Sequence, residues 1–316
     1  MNILSKHARI CFVGDSITAH NKYVAHIARF FLEECPDADI QVFNCGCAGG
    51  ASVSQYTFFK DDIEPHRPTH IFLMLGINES GLGILEDLSN PDRYNLMVEK
   101  YEAYKVNYAR LCDACVGIGA KLVLMTLPPY DEYEQVDTAI IQGGYALTLG
   151  FRNFVMEYAK EKGYPCIDIH QYLTRHFRDE VLFVDRVHPN ERGHYYMAKY
   201  ILKELGYDIG EQKDYPEYMD EWREKEEHLR QIYAAEKMVI GLENYGLSTE
   251  EKIKLAQKYV DEEKWNIPER SEKGNLFFYN LAKEYIELKP KQAQLYEEID
   301  KIIVGKFFEI GGKEHE

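Results

Sequence analysis

The sequence predicts a three-layer α/β fold over residues 1–205, followed by an all-helical extension over residues 206–316. In the first part, short apolar runs alternate with stretches in which apolar residues recur at helical spacing. One run, from Ile71 to Leu75, is apolar at every position, as expected of a strand that is buried on both faces. A series of strand-then-helix units implies a parallel sheet covered by helices on both faces.

Composition and charge limit the classes of protein to which the chain can belong. Hydrophobic residues make up 45% and charged residues 28% of the 316 positions, which excludes a mainly disordered chain. A net charge of −16 argues against nucleic-acid binding through phosphates. The longest apolar run is far too short to span a bilayer, and no secretory signal is visible. We therefore expect a cytoplasmic protein that does not associate with membranes.

Each element of the α/β part is predicted from its own stretch of sequence. Apolar runs predict strands over residues 10–13, 40–43, 71–75, 121–127 and 166–169. Helical spacing of apolar residues predicts helices over residues 23–34, 93–118, 151–162 and 193–205. Gly14 ends the first strand, and the pair Pro128 and Pro129 ends the fourth.

The extension begins with a polar linker over residues 206–216, which contains glycine and proline. Four amphipathic helices are predicted after it, over residues 217–244, 248–265, 272–288 and one that carries Leu295 and Ile299. Ser248 and Glu251 have the spacing of a capping box at the start of the second of these helices. The apolar faces must pack on the α/β part, on one another or on a second subunit.

The role predicted for the extension is assembly of a homo-oligomer, and an active-site lid is the alternative. A lid would place Phe277, Phe278 and Tyr279 over the ends of the strands. His228 stands between Glu226 and Arg230 in the sequence, which predicts a solvated helix face and no part in chemistry.

The seven cysteines are predicted to be reduced thiols, because their number is odd and the chain is long. Cys112 and Cys115, and likewise Cys45 and Cys47, are close enough in sequence to share a metal. No second pair of Cys or His completes a zinc site, so we expect neither a metal nor another cofactor.

Polar segments that follow the strands meet at one rim of a parallel sheet, where ligands bind. The first segment, Gly14 to Thr18, places Ser16 near the N-terminus of a helix, whose free N–H groups favour an anion. Taken alone, this segment is better explained by Ser16 as a helix cap than by an anion site. The second, Asn44 to Gly50, lets the backbone approach a ligand, although alone it fits a tight turn.

Two further segments add side chains to the same rim. In the third, Gly76 to Glu79, the Asn78 amide can donate a hydrogen bond, although alone the segment fits an Asx turn. In the fourth, Asp185 and His188 are three residues apart before the last helix, so Asp185 can hold the Nδ1–H and leave Nε2 to take a serine proton. His170 is a rival base, but it lacks an acidic residue three positions earlier.

Together and in this order, the four segments resemble the blocks of the SGNH (GDSL) hydrolase superfamily. The resemblance covers about residues 9–205 and implies a flavodoxin-like sheet with the strand order 2-1-3-4-5. It implies that Ser16 is the nucleophile and that Asp185 and His188 are the supporting acid and the base. It also implies an oxyanion hole formed by Ser16, Gly49 and Asn78. The chain departs from the family at Glu79, where Asp is usual, so the bond that positions this loop is expected to differ.

The resemblance implies a serine esterase that works through an acyl-enzyme. Our first expectation for the substrate is a short acyl ester, such as O-acetyl, on a saccharide, with Tyr130 and Tyr133 as rim aromatics that stack on the sugar. Alternatives are a small acyl ester or thioester, or a lysophospholipid-like substrate. A non-catalytic glycan-binding or scaffold protein is the alternative of another class.

Overall fold

A computed structural model describes residues 1, 3–133, 136–177 and 179–311 of the chain. Five parallel strands form its single sheet, in the order β2-β1-β3-β4-β5. The strands are β1 (Arg9–Gly14), β2 (Gln41–Gly46), β3 (His70–Met74), β4 (Lys121–Met125) and β5 (Cys166–Ile167). The predicted parallel sheet and the strand order implied by the family resemblance are both confirmed.

Helices cover both faces of this sheet, as predicted. Those of the first part are α1 (Ser16–Ala19), α2 (Lys22–Glu34), α3 (Ser52–Phe58), α4 (Leu82–Glu86), α5 (Arg93–Gly117), α6 (Gly144–Lys162), α7 (Ile169–Thr174) and α8 (Glu191–Leu205). Successive strand residues point to opposite faces. In β1, Phe12 belongs to the core under α2 and α8, whereas Val13 belongs to the core under α5 and α6.

The strand ends differ from the predicted ones for identifiable reasons. Strand β2 continues through Gly46, where a Cβ atom would lie 2.3 Å from the Ala19 nitrogen, so only glycine allows α1 to pack this closely. Strand β5 stops at Ile167 because the side chain of Asp168 caps α7 by accepting from the Gln171 N–H. Helices α3, α4 and α7 are absent from the prediction, because each has seven residues or fewer and so shows little helical periodicity.

Four helices follow Gly206: α9 (Glu217–Ala235), α10 (Thr249–Asp261), α11 (Glu272–Leu288) and α12 (Gln292–Gly311). The capping box predicted at Ser248 and Glu251 is present. Helix α9 is shorter than predicted, because a π-helical turn over Glu236–Ile240 replaces its last part. None of the helices in the described ranges is both long enough and apolar enough to cross a membrane.

The extension packs on the α/β part and shares its core. Trp222 of α9 is fully buried in the same cluster as Phe12 and Phe31. The predicted solvated face around His228 is wrong, because Glu226 and Arg230 on either side are buried. Arg230 forms an ion pair of 2.7 Å with the buried Asp62. The helix faces that were expected to bind a second subunit are thus largely occupied within the chain.

Candidate active site

Ser16 is the first residue after the cap of helix α1. The cap itself is Asp15, whose carboxylate accepts the Ile17 N–H at 3.0 Å. Ser16 is therefore not needed as a helix cap, which was the simplest structural explanation for it. Its side chain is half-buried at the carboxyl end of β1, at the rim where the four polar segments were expected to meet.

The side chains of Ser16, His188 and Asp185 form a continuous chain of hydrogen bonds. The Ser16 Oγ lies 2.8 Å from the His188 Nε2, and the His188 Nδ1 lies 2.7 Å from the Asp185 Oδ2. The other Asp185 oxygen accepts the backbone N–H of His188 at 2.8 Å and that of Val187 at 3.2 Å. These backbone bonds fix the carboxylate, so the imidazole is held with Nε2 directed at the serine.

The ion pair in this loop dominates the pKa values of its two members. Burial alone raises the pKa of Asp185, but hydrogen bonds from His188 outweigh it and bring the pKa to about 2. Burial likewise lowers the pKa of His188, but the hydrogen bond and charge of Asp185 raise it above the ordinary 6.5. His188 is therefore a stronger base than an unpaired histidine, as a group that removes a serine proton should be.

Two ionisable residues beside the triad were not singled out from the sequence. Asp15 is buried, which raises its pKa to about 6, although the Ile17 N–H and His188 oppose the shift. The His20 ring centre lies 5.3 Å from that of His188. Burial, and then the charge of His188, lower the pKa of His20 to about 4, so His20 is neutral at physiological pH.

The glycine segment turns beside Asp15, the residue before Ser16, because a Cβ atom on Gly50 would lie 3.3 Å from the Asp15 Cα. The Gly50 N–H donates to the Cys47 carbonyl at 2.7 Å, and Gly49 has a φ of 67°. A turn with a positive φ at its third residue favours glycine there. The Asn78 Nδ2 donates to the Gly50 carbonyl at 2.9 Å, which joins the second and third segments.

Each of the three groups expected to form an oxyanion hole has a hydrogen that is free to donate. In the described part of the chain, the N–H groups of Ser16 and Gly49 have no hydrogen-bond partner, and Asn78 retains a second amide hydrogen. Donors of this kind are the groups that stabilise a negatively charged oxygen in acyl transfer.

Glu79 links the third segment to helix α3. Its carboxylate accepts the Ser52 N–H at 3.1 Å and the Ser52 hydroxyl at 3.2 Å. Burial raises the pKa of Glu79 to about 7, although both bonds from Ser52 oppose the shift. The longer side chain thus anchors the Asn78 loop to Ser52, the first residue of α3.

The prediction that Tyr130 stacks on a sugar is wrong. Its ring is buried beneath Gly144, where a Cβ atom would lie 2.5 Å from it, and its hydroxyl accepts the Ile141 N–H. Tyr133 is 73% exposed and lies near Phe177, in the wall of a separate groove. The rival base His170 is buried against Thr148, and burial lowers its pKa to about 4.

A cavity of about 330 Å³ lies beside the triad, between the α/β part and the extension. His20 and Ala48 line its inner wall, and Gln231 of α9 and Phe277 of α11 line its outer wall. Of the three aromatic residues considered for a lid, Phe277 reaches this cavity, whereas Phe278 packs under Arg270 and Tyr279 against Trp265. The lid alternative named Phe277 from the sequence, but no sequence signal indicated Gln231, because the extension lies outside the motifs.

One group of potential metal ligands lies under the sheet rim. Cys45, Asp62 and His66 place their ligand atoms within 4.8 Å of one another. The Asp62 carboxylate already binds the Arg230 guanidinium through both oxygens, at 2.7 and 2.9 Å. A metal ion would have to displace that buried cation, so this group is better explained as an ion-pair site.

The fold and the four segments define a hydrolase of the SGNH type, and comparison with known sequences agrees. The GDSL-like lipase/acylhydrolase family matches residues 12–196, and the chain belongs to this family. An acetylxylan esterase of Geobacillus stearothermophilus is 23% identical over 219 residues, which cover 63% of this chain and 94% of that protein. The protein is accordingly a carboxylic ester hydrolase.

Two solved structures show how far the architecture is shared. The acetylxylan esterase Axe2 of Geobacillus stearothermophilus, 22% identical, aligns with a TM-score of 0.55 over 67% of this chain and 100% of its own. A gut microbial diltiazem-metabolizing enzyme, 15% identical, aligns with a TM-score of 0.75 over 97% of this chain and 96% of its own. The second alignment therefore includes the helical extension.

Proposed function

We propose that the protein is a serine esterase that removes a short acyl group, such as acetyl, from a saccharide. The observation that carries the proposal is the hydrogen-bonded chain from Ser16 through His188 to Asp185, with distances of 2.8 and 2.7 Å. Solved catalytic mutants of Axe2 likewise replace a serine, an aspartate and a histidine, the last two three positions apart.

The proposed reaction has two steps. His188 takes the proton of Ser16 as the Ser16 oxygen attacks the ester carbonyl, and the protonated imidazole then donates that proton to the departing alcohol. Water, deprotonated by His188, then attacks the carbonyl of the acyl-enzyme. The bond to the Ser16 oxygen breaks, the protonated His188 returns the proton to that oxygen, and the acid is released. In both steps the negative oxygen accepts hydrogen bonds from the N–H groups of Ser16 and Gly49 and from the Asn78 amide.

The cavity beside the triad is the proposed site of the alcohol half of the ester. Gln231 and Arg223 line this cavity with half-buried polar side chains. Such side chains can form hydrogen bonds with a ligand that carries hydroxyl groups. The half-exposed ring of Phe277 offers a face on which a sugar can stack.

A non-saccharide ester is the second candidate. It is favoured by the solved diltiazem-metabolizing enzyme, whose likeness extends over the same helical extension that closes the cavity. Release of the carboxylic acid from acetylated xylo-oligosaccharides, diltiazem, a short acyl thioester and a lysophospholipid distinguishes the candidates by their kcat/KM values.

Hydrolysis of p-nitrophenyl acetate tests the triad. The wild type should hydrolyse it and Ser16→Ala should not, whereas a change at the exposed Ser89, Ser89→Ala, should have no effect. Equal activity of Ser16→Ala and wild type would exclude Ser16 as nucleophile, and an inactive wild type would favour the glycan-binding or scaffold alternative.

The saccharide part of the proposal has its own test. Gln231→Leu should raise KM for acetylated xylo-oligosaccharides but leave p-nitrophenyl acetate hydrolysis unchanged, because only the sugar reaches the Gln231 side chain. An unchanged KM for the sugar ester would remove Gln231 from the proposed subsite.

A further inference from the structure

A lysine of the helical extension lies beside the proposed oxyanion hole. The Lys237 Nζ is 3.4 Å from the position that a Cβ atom of Gly49 would occupy. Two covalent bonds separate that position from the Gly49 nitrogen, so the ammonium lies within about 6 Å of that N–H group. No motif of the family includes this residue, since residue 237 lies beyond the matched region.

The backbone that carries Lys237 is held firmly by its neighbour. Glu236, the first residue of the π-helical turn, is buried and accepts hydrogen bonds from Lys252 at 3.2 Å and from the Tyr285 hydroxyl at 3.1 Å. Lys289 adds an ion pair to the same carboxylate. π-Helical turns within helices are frequently found at functional sites. Here the turn directs Lys237 toward Gly49, away from the ion-pair cluster of Glu236.

The Lys237 charge is not neutralised by an ion pair among the described residues. The Lys237 charge nevertheless acts on the site: it lowers the pKa values of both Cys47 and Glu79, which burial raises. Those residues flank Gly49 and Asn78 in the sequence, so the ammonium faces the region between two of the proposed oxyanion donors.

We propose that Lys237 belongs to the esterase site and stabilises, through space, the negative charge that forms on the carbonyl oxygen as Ser16 attacks. The inference rests on the proposed function. With Lys237 in this role, the extension contributes to the reaction itself in addition to closing the cavity. A single positive charge at this distance, in a partly buried site, is expected to change the rate by about tenfold or more.

The test compares three variants on p-nitrophenyl acetate, a neutral ester. Lys237→Met should lower kcat about tenfold or more with little change in KM, because the oxyanion exists only along the reaction path. Lys237→Arg, which keeps the charge, should retain most of the activity. Lys254→Met removes an exposed lysine of the extension far from the site and should match the wild type.

Other results would overturn the inference. If Lys237→Met matched the wild type while Ser16→Ala was inactive, the proposed function would stand and the role of Lys237 would be wrong. A rise in KM confined to esters with a carboxylate, such as mono-p-nitrophenyl succinate, would assign Lys237 to substrate binding instead. An inactive wild type would overturn both proposals. Thermal unfolding of each variant separates loss of function from loss of fold.

Discussion

The guanidinium of Arg230 and the carboxylate of Asp62 form a fully buried ion pair across the junction between the two parts of the chain. Two nearly parallel hydrogen bonds, of 2.7 and 2.9 Å, join them, and Arg230 also donates to the Gly46 carbonyl at the end of β2. The same helix supplies Gln231 to the cavity and leads into the turn that carries Lys237. The ion pair therefore positions the extension relative to the site.

Breaking this ion pair should destabilise the protein strongly. Arg230→Met leaves the Asp62 carboxylate buried without its partner, which typically costs about 3–5 kcal/mol. The double change Arg230→Met with Asp62→Leu should recover a large part of that loss, since burial raises the pKa of the remaining Glu226 carboxyl to about 8 and it is then mostly uncharged at neutral pH. Urea unfolding of the single and double variants measures the difference, and a loss below about 1 kcal/mol for Arg230→Met would show that water reaches Asp62.

Asn78→Ala should lower kcat for p-nitrophenyl acetate by about 10²-fold or more with little change in KM. Asn78→Asp is the matched control, because it keeps the shape but has no amide hydrogen to donate, and should be at least as slow. If either variant changed KM alone, Asn78 would bind the ground state of the substrate instead.

The activity should fall in acid with an apparent pKa above 6.5. Asp185 stabilises the protonated form of His188 and so raises its pKa. Only neutral His188 can accept the Ser16 proton, so kcat/KM is lost as the pH falls through that raised pKa. In Asp185→Asn the acid limb of the curve of kcat/KM against pH should move to lower pH, because burial then lowers the pKa of His188 without an opposing charge. The maximal kcat/KM should also fall. If the acid limb stayed at the same pH in Asp185→Asn, a group other than His188 would be responsible for it.

Removing the extension should unfold the catalytic part. A 1–205 fragment loses α9, which packs on β2 and α2. The core around Phe12 and Phe31 is then exposed. We expect it to aggregate and to show no cooperative thermal transition. A soluble, folded fragment would contradict this. The homo-oligomer expected from the sequence stays a prediction, which light scattering on the full chain tests.

Local patterns sufficed to predict the sheet and to select the four polar segments. The run from Ile71 to Leu75 has the composition of a central strand, and the spacing of Asp185 and His188 suits a hydrogen bond wherever that turn is placed. The place of Ser16 at the rim follows from topology, because parallel strands end there, whereas His188 is brought to the rim by the loop between α7 and α8.

What the sequence could not show depends on contacts between distant segments. Glu226 and Arg230 are charged residues typical of a solvated helix face, yet both are buried. Arg230 pairs with Asp62, from another part of the chain, and Glu226 lies 3.6 Å from the Arg230 Nε. Tyr130 was expected at the rim, but the approach of Gly144 covers its ring. The place of Lys237 depends on the packing of α9, which no motif encodes.

Covalent labelling with paraoxon, an organophosphate ester, tests the central claim most directly, since such esters phosphorylate a serine that a neighbouring histidine activates. Mass spectrometry of the digested protein should find one diethylphosphoryl group, on the peptide that contains Ser16, with esterase activity lost in proportion. His188→Ala should resist labelling, because the serine then keeps its proton. Labelling of a different residue together with loss of activity, or an enzyme that remains active with Ser16 modified, would contradict the account.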